Sequence, residues 1–253
     1  MKFKITFFQL VSISILFCCF YLMGCGDDST SPATKTYPNI QMKSGAVYTY
    51  NNDTISQDGT YHGTTLLTND VFQPNDTSFN GKSCFPVNSI TKDTLSHQQI
   101  RSAYDYYSYN QTEGKFYQYG ARRIIDSSQA KTWDLVADFT QSSGTEISLY
   151  TLTNLFGKGL TANVYSKVAS DTVLTTIGSL VTINCYRVTL RADIQLGGSS
   201  VGNVYIDYYI GYNTATNTSN PCGRVRTKIY PVNLSGVLKY PGADQMINRF
   251  TLP

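Results

Sequence analysis

Histidine is nearly absent from this 253-residue chain: His62 and His97 are the only two, and both sit among polar, turn-forming neighbours. A general base working near neutral pH is therefore poorly supplied. Charge is scarce too. Lys, Arg, Asp and Glu make up 15% of the residues, and the formal net charge is +3, to which the leader residues Lys2 and Lys4 contribute. What remains is close to neutral, which excludes a strong field for nucleic acid or anionic lipid. The six cysteines include no C-x-x-C pair and none has a histidine beside it, so the common metal spacings are missing and no metal or cofactor is expected. No window of a dozen residues carries a convincing 3.6-residue period, which excludes a helical bundle. Neither a repeat of 20–50 residues nor an internal linker marks a second domain.

A long apolar run occurs once, at the start. Lys2 and Lys4 precede a stretch from Ile5 to Met23 rich in Phe, Ile, Leu and Val. A basic start, an apolar middle and a small residue before the cut describe a secretory signal, although the length also approaches that of a membrane-spanning helix. The ending decides between them. Leu22-Met23-Gly24-Cys25 resembles the lipobox of bacterial lipoproteins, with Met23 larger than the residue usual at its position. The resemblance implies cleavage after Gly24, lipidation of Cys25 with two or three acyl chains such as palmitate, and an outer-membrane anchor facing the periplasm or the exterior. More than one chain makes such an anchor effectively permanent. Residues 1–24 are thus read as signal peptide, 25–36 as a polar, Pro-containing tether and 37–253 as the folded body. Asp27-Asp28 resembles the acidic signals that send some lipoproteins to the cell surface, and reads equally well as ordinary linker.

The body is rich in Tyr, Thr, Ser, Asn and Gly, and its dominant pattern has period two. Tyr186, Val188, Leu190, Ala192, Ile194 and Leu196 alternate with polar residues, then Gly197-Gly198-Ser199-Ser200 turns the chain, and Val204 to Tyr212 alternates back. That describes a hairpin with one buried face. Further strands are expected at 46–50, 61–67, 84–90, 100–109, 115–119, 147–152, 164–169, 173–177 and 224–232. Ala130–Phe139 fits either a strand or a short helical turn. The expected fold is an all-β single antiparallel meander domain, its curved sheet forming a sandwich or a partly closed barrel. Gly45-Ala46-Val47-Tyr48-Thr49-Tyr50, with later segments such as Asn184-Cys185-Tyr186-Arg187-Val188, is similar to the strands of exported β-sheet lipoproteins of unassigned activity. That resemblance implies a fold and an address but no chemistry.

Two motif matches fail on context. Gly198-Ser199-Ser200-Val201-Gly202 fits G-x-S-x-G, and Gly157-Lys158-Gly159-Leu160-Thr161-Ala162 fits a loose dinucleotide pattern. Both lead into strands, whereas each chemistry needs a helix at that point. Asp134 and Asp138 could form a hydrolytic carboxylate pair, but on a strand they share one face, expected to be wet. Arg224, Arg226 and Lys228 likewise alternate as a solvated basic face. Tyrosine is the unusual resource. Tyr104, Tyr106, Tyr107 and Tyr109 cluster on one strand and Tyr205, Tyr208, Tyr209 and Tyr212 on another. Of these, Tyr104, Tyr106, Tyr107, Tyr109, Tyr208 and Tyr209 are the candidate ligand contacts, although tyrosine also fills sheets well. Among Cys84, Cys185 and Cys222 a single disulfide, Cys185–Cys222, is favoured over the other pairings or none. The reading is a lipid-anchored envelope protein, non-catalytic, that binds a glycan, an apolar ligand or an envelope protein, or serves as structure. An envelope glycan hydrolase and a lipid carrier or acceptor with an apolar cavity are the alternatives.

Overall fold

The structure, a computed structural model, describes residues 36–74, 77–175 (Thr175 by its backbone alone) and 181–253. The leader, Cys25 and the tether up to residue 35 lie outside the described residues, as do residues 176–177 of the strand expected at 173–177. The compact unit runs from Thr36 to Pro253.

Strands follow one another along it: β1 Val47–Ile55, β2 Tyr61–Phe72, β3 Thr77–Phe79, β4 Lys82–Asp93, β5 Gln99–Asn110, β6 Lys115–Tyr119, β7 Trp133–Asp138, β8 Glu146–Leu155, β9 Leu160–Thr175, β10 Thr182–Leu196, β11 Ser199–Gly211, β12 Gly223–Ile229, β13 Val232–Leu234, β14 Leu238–Tyr240 and β15 Gly242–Thr251. Twelve of them form one antiparallel sheet in the order β7-β6-β5-β4-β2-β1-β15-β12-β11-β10-β9-β8, nearly closed into a barrel, while β3 extends β4 and β13–β14 form a separate hairpin. Two meanders are thus joined by the C-terminal strand β15, which pairs β1 on one side and β12 on the other.

The ends of the sheet meet through side chains. Ser166 Oγ on β9 donates to the Val136 carbonyl of β7 at 2.7 Å. A turn after β6 bridges to β8: the Phe156 N–H donates to Asp126 at 2.6 Å, and Arg122 lies over the Tyr150 ring at 4.7 Å. The seam is held by polar contacts where a closed barrel would have a continuous ladder.

Alternation explains most of the core. On β10, Val188, Leu190 and Ala192 are buried opposite Tyr208, Ile206 and Val204 of β11, and Ile183, Cys185 and Ile194 are buried as well. The register against β9 shifts between Tyr186 and Val188. Tyr186 nonetheless stays opposite inward Ile210 and meets the core residue Phe139 at 5.2 Å, as the alternation predicts. The segment at Ala130–Phe139 resolves as the strand β7.

Three buried thiols remain free, Cys84, Cys185 and Cys222. The favoured Cys185–Cys222 bridge is not formed. Cys185 pairs with Gly211 on β11, and Gly211 in turn pairs with Gly223, the neighbour of Cys222. An intervening strand holds the two cysteines about 9–10 Å apart, beyond disulfide reach. Burial pushes the Cys185 thiol up to about 12 and that of Cys222 to about 11.

Candidate functional site

A buried polar cluster lies inside the sheet, which is unusual in a chain so poor in charge. Arg224 of β12 donates to Asp70 of β2 at 2.9 Å, with 9% and 1% of the side chains exposed. The Arg224 guanidinium also faces the rings of Tyr50 at 5.4 Å and Tyr107 at 5.9 Å. The Tyr50 hydroxyl donates to the Arg224 carbonyl at 2.7 Å. Burial pushes the Asp70 carboxyl above its ordinary range, and Arg224 opposes it. Several groups of the cluster have no hydrogen-bond partner: Arg224 Nε, Asp70 Oδ1, Gln118 Oε1 and the hydroxyls of Tyr107 and Tyr208.

Two of those side chains, Arg224 and Gln118, line the largest cavity described, about 860 Å³. Its geometry follows from a mismatch of strand lengths. β5 pairs β4 along Gln99–Tyr107, but pairs β6 along Tyr107–Asn110 alone. After Tyr119 the chain leaves the sheet at Gly120, whose φ of 78° suits glycine best, and its N–H donates to the Thr132 carbonyl at 2.6 Å. The edge of β5 before Tyr107 is therefore open. Every residue from Arg101 to Tyr106 lines the cavity, so the cavity wraps the strand's edge and touches both faces.

The opposite wall is the segment between β6 and β7, with Arg123, Ile124, Ser127 and Lys131. A Cβ built on Gly120 would lie 3.5 Å from Lys131 Cγ and 3.8 Å from Arg123 Cδ, so both cationic side chains converge there. The lining holds four cations, Arg101, Arg123, Lys131 and Arg224, against a single acid, Asp105. Phe79 stacks on Tyr106 at 4.0 Å with the rings 2° apart, and Tyr119 meets Phe79 edge-on at 5.0 Å. Smaller cavities of about 550 and 270 Å³ share Ile124 and Ile229 with this notch.

The tyrosine candidates divide. Tyr104 and Tyr106 line the notch. Tyr107 and Tyr208 are corrections: both are fully buried in the core and face no solvent. Tyr109 donates to the Pro38 carbonyl at 2.6 Å, and Tyr209 lies 5.2 Å from the Arg226 guanidinium on the outer side.

The carboxylate pair is corrected as well. Asp134 and Asp138 are buried at 1% and 7% exposure, not wet. The register shift between Phe116 and Tyr117 sets Asp134 opposite Gln118 and Asp138 opposite Lys115, on different faces. Asp134 is held by Arg122 at 2.6 Å, and Asp138 accepts from Thr140 at 2.6 Å. Four residues of strand place them about 13 Å apart, too far for a glycosidase pair.

The basic face of β12 is not solvated either. A shift between Tyr209 and Ile210 sets Arg224 opposite inward Ile210 and Arg226 opposite outward Tyr209. Each is paired with an aspartate, Arg224 with Asp70 and Arg226 with Asp244, while Lys228 lies 4.6 Å from the Tyr230 ring. Both glycine motifs are turns leading into strands, before β9 and at the start of β11. Among the described residues, no three His, Cys, Asp or Glu side chains gather as a metal site.

Arg101 and Lys131 escaped the sequence reading because each stands alone among uncharged residues, and Arg123 because nothing in the sequence separates it from its neighbour Arg122, which turns to Asp134. The signal that could have exposed their site was the disparity between the strand expected at 100–109 and its five-residue partner at 115–119.

No protein-family model and no curated protein matches the sequence. Among solved structures, the chain is similar to a candidate exported protein with a YmcC-like fold from Bacteroides fragilis, at 14% identity and a TM-score of 0.47, covering 85% of this chain and 98% of that one. It is similar also to a candidate lipoprotein from Parabacteroides distasonis, at 12% identity and a TM-score of 0.47, covering 86% and 100%.

Proposed function

We propose that the chain is an exported, lipid-anchored binding protein of the outer membrane, non-catalytic, which holds an anionic partner in the notch beside β5. The address rests on the leader and on Cys25. The activity rests on one observation: Arg101, Arg123 and Lys131 are exposed in a single cavity, and none has an ion-pair partner among the described residues. Three free cations on one site attract anions, while Tyr104 and Tyr106 add aromatic contact. A hydrolase reading finds no support in Asp134 and Asp138, and a lipid carrier finds none in a notch lined by charge.

Calorimetric titration of the full chain in mild detergent tests the reading. Polyglutamate should bind at low salt, more weakly as salt rises, and polylysine should not bind. Equal heats for the two polymers would refute it.

A further inference from the structure

The notch offers more than charge. The Pro86 carbonyl of β4 accepts from the Gln73 N–H at 2.8 Å, on the side away from β5. Alternation then turns Val87, Ser89 and Thr91 toward β5, opposite Asp105, Ala103 and Arg101. Those three residues of β5 spend their backbone groups on β4. The intervening Ser102 and Tyr104 direct their N–H and C=O groups to the open side, where no strand pairs with them, and Tyr106 adds its N–H, its carbonyl being taken up where β6 begins to pair at Tyr107–Gln118. A row of three donors and two acceptors along about 14 Å of strand is a template for one more strand.

The two faces of that template differ. Arg101 and Asp105 lie on the side shared with the buried Tyr107, where Arg224 also lines the notch, while Tyr104 and Tyr106 lie on the other side. Resting on the anionic-partner reading above, we infer that the partner is an extended acidic polypeptide that adds to the edge of β5 as a strand. Its backbone pairs with Ser102, Tyr104 and Tyr106. A carboxylate on one side of the added strand meets Arg101, while Arg123 and Lys131 attract others from the facing wall, and the residues on its other side lie along Tyr104 and Tyr106. Strand addition takes its affinity from the backbone and its specificity from alternate side chains. Charges beside an open edge can also serve simply to repel other strands, and binding separates the two roles.

The probe is an eight-residue peptide of alternating glutamate and threonine, titrated into the full chain in mild detergent. Two further versions carry N-methyl groups on one or the other set of alternate backbone nitrogens. Strand addition predicts that one methylated version loses affinity by about tenfold or more while the other binds as the parent does. It also predicts slowed hydrogen exchange at the Ser102, Tyr104 and Tyr106 amides. Ser102→Pro, which removes an outward N–H and leaves the ladder to β4 intact, should weaken the peptide by a similar factor. Equal binding of both methylated versions, without amide protection, would overturn strand addition and leave the anionic-partner reading standing. The same holds if an anionic polysaccharide such as polygalacturonate binds and the peptide does not. Protection of these amides without peptide, rising with protein concentration, would assign the edge to a second copy of the chain and overturn the inference. If no anion binds at all, both readings fall.

Discussion

Removing Arg224 while keeping Asp70 should be among the most damaging single changes inside the sheet. The two side chains are 2.9 Å apart, with 9% and 1% exposed. In Arg224→Met the stem is replaced at similar volume, but Asp70 is left buried without its counter-charge. A buried pair broken this way costs about 3–5 kcal/mol. For a unit of this size, that lowers the melting temperature by about 6–20 °C. The double variant Asp70→Asn/Arg224→Met should recover much of the loss, because no charge remains to be desolvated. The pH dependence has a definite sign. Burial already raises the Asp70 carboxyl, and without Arg224 it rises further, so the native variant binds more protons than its unfolded chain. The deficit of Arg224→Met should therefore shrink as pH falls from 7 toward 5. Urea unfolding followed by fluorescence of Trp133, the single tryptophan, measures this directly. A loss below about 1 kcal/mol, or a double variant as poor as the sum of the singles, would refute the buried-pair argument.

Other consequences are simpler to check. The Tyr107 and Tyr208 hydroxyls are buried without partners, so Tyr107→Phe and Tyr208→Phe should be neutral or stabilising in urea unfolding. Tyr50→Phe, which loses a 2.7 Å bond to the Arg224 carbonyl, should cost about 1 kcal/mol. The thiols of Cys185 and Cys222 are raised by burial to about 12 and 11. Unfolded thiols ionise near 9, so the native state holds more protons above that pH, and stability should fall between pH 9 and 11. The native protein should also resist thiol reagents until unfolded, when Cys84, Cys185 and Cys222 all react. Gly211→Ala places a Cβ 2.0 Å from the Pro221 carbonyl oxygen, and a melting curve should show a loss of several kcal/mol, on the order of the largest core effects.

The strands were legible where one face is apolar and the other polar. Thr182–Leu196 and Ser199–Gly211 show this alternation in plain residues. β15 was not legible, because Gly242–Thr251 carries Asp244, Gln245 and Asn248 among its apolar residues and relies on its two neighbours for placement. The bulges were equally hidden. A one-residue slip leaves the sequence period intact while reversing which side chains face inward, and that is how Asp134 and Asp138 parted and how Arg224 left Arg226. The notch depends on where pairing stops, which is a tertiary fact. Tyr104 and Tyr106 were found from their clustering, but Arg101, Arg123 and Lys131 gather only once Gly120 turns the chain away from β5.

Trp133 donates to the Phe79 carbonyl at 3.1 Å, within the aromatic group beside the notch, so it can report on occupancy. The most direct measurement follows its fluorescence as polyglutamate is titrated into the full chain and into Arg101→Glu/Lys131→Glu, in low and in physiological salt. An anion held in the notch should give a saturable change in the parent that weakens with salt and is absent in the reversed-charge variant. The same titration curve for both proteins would contradict it.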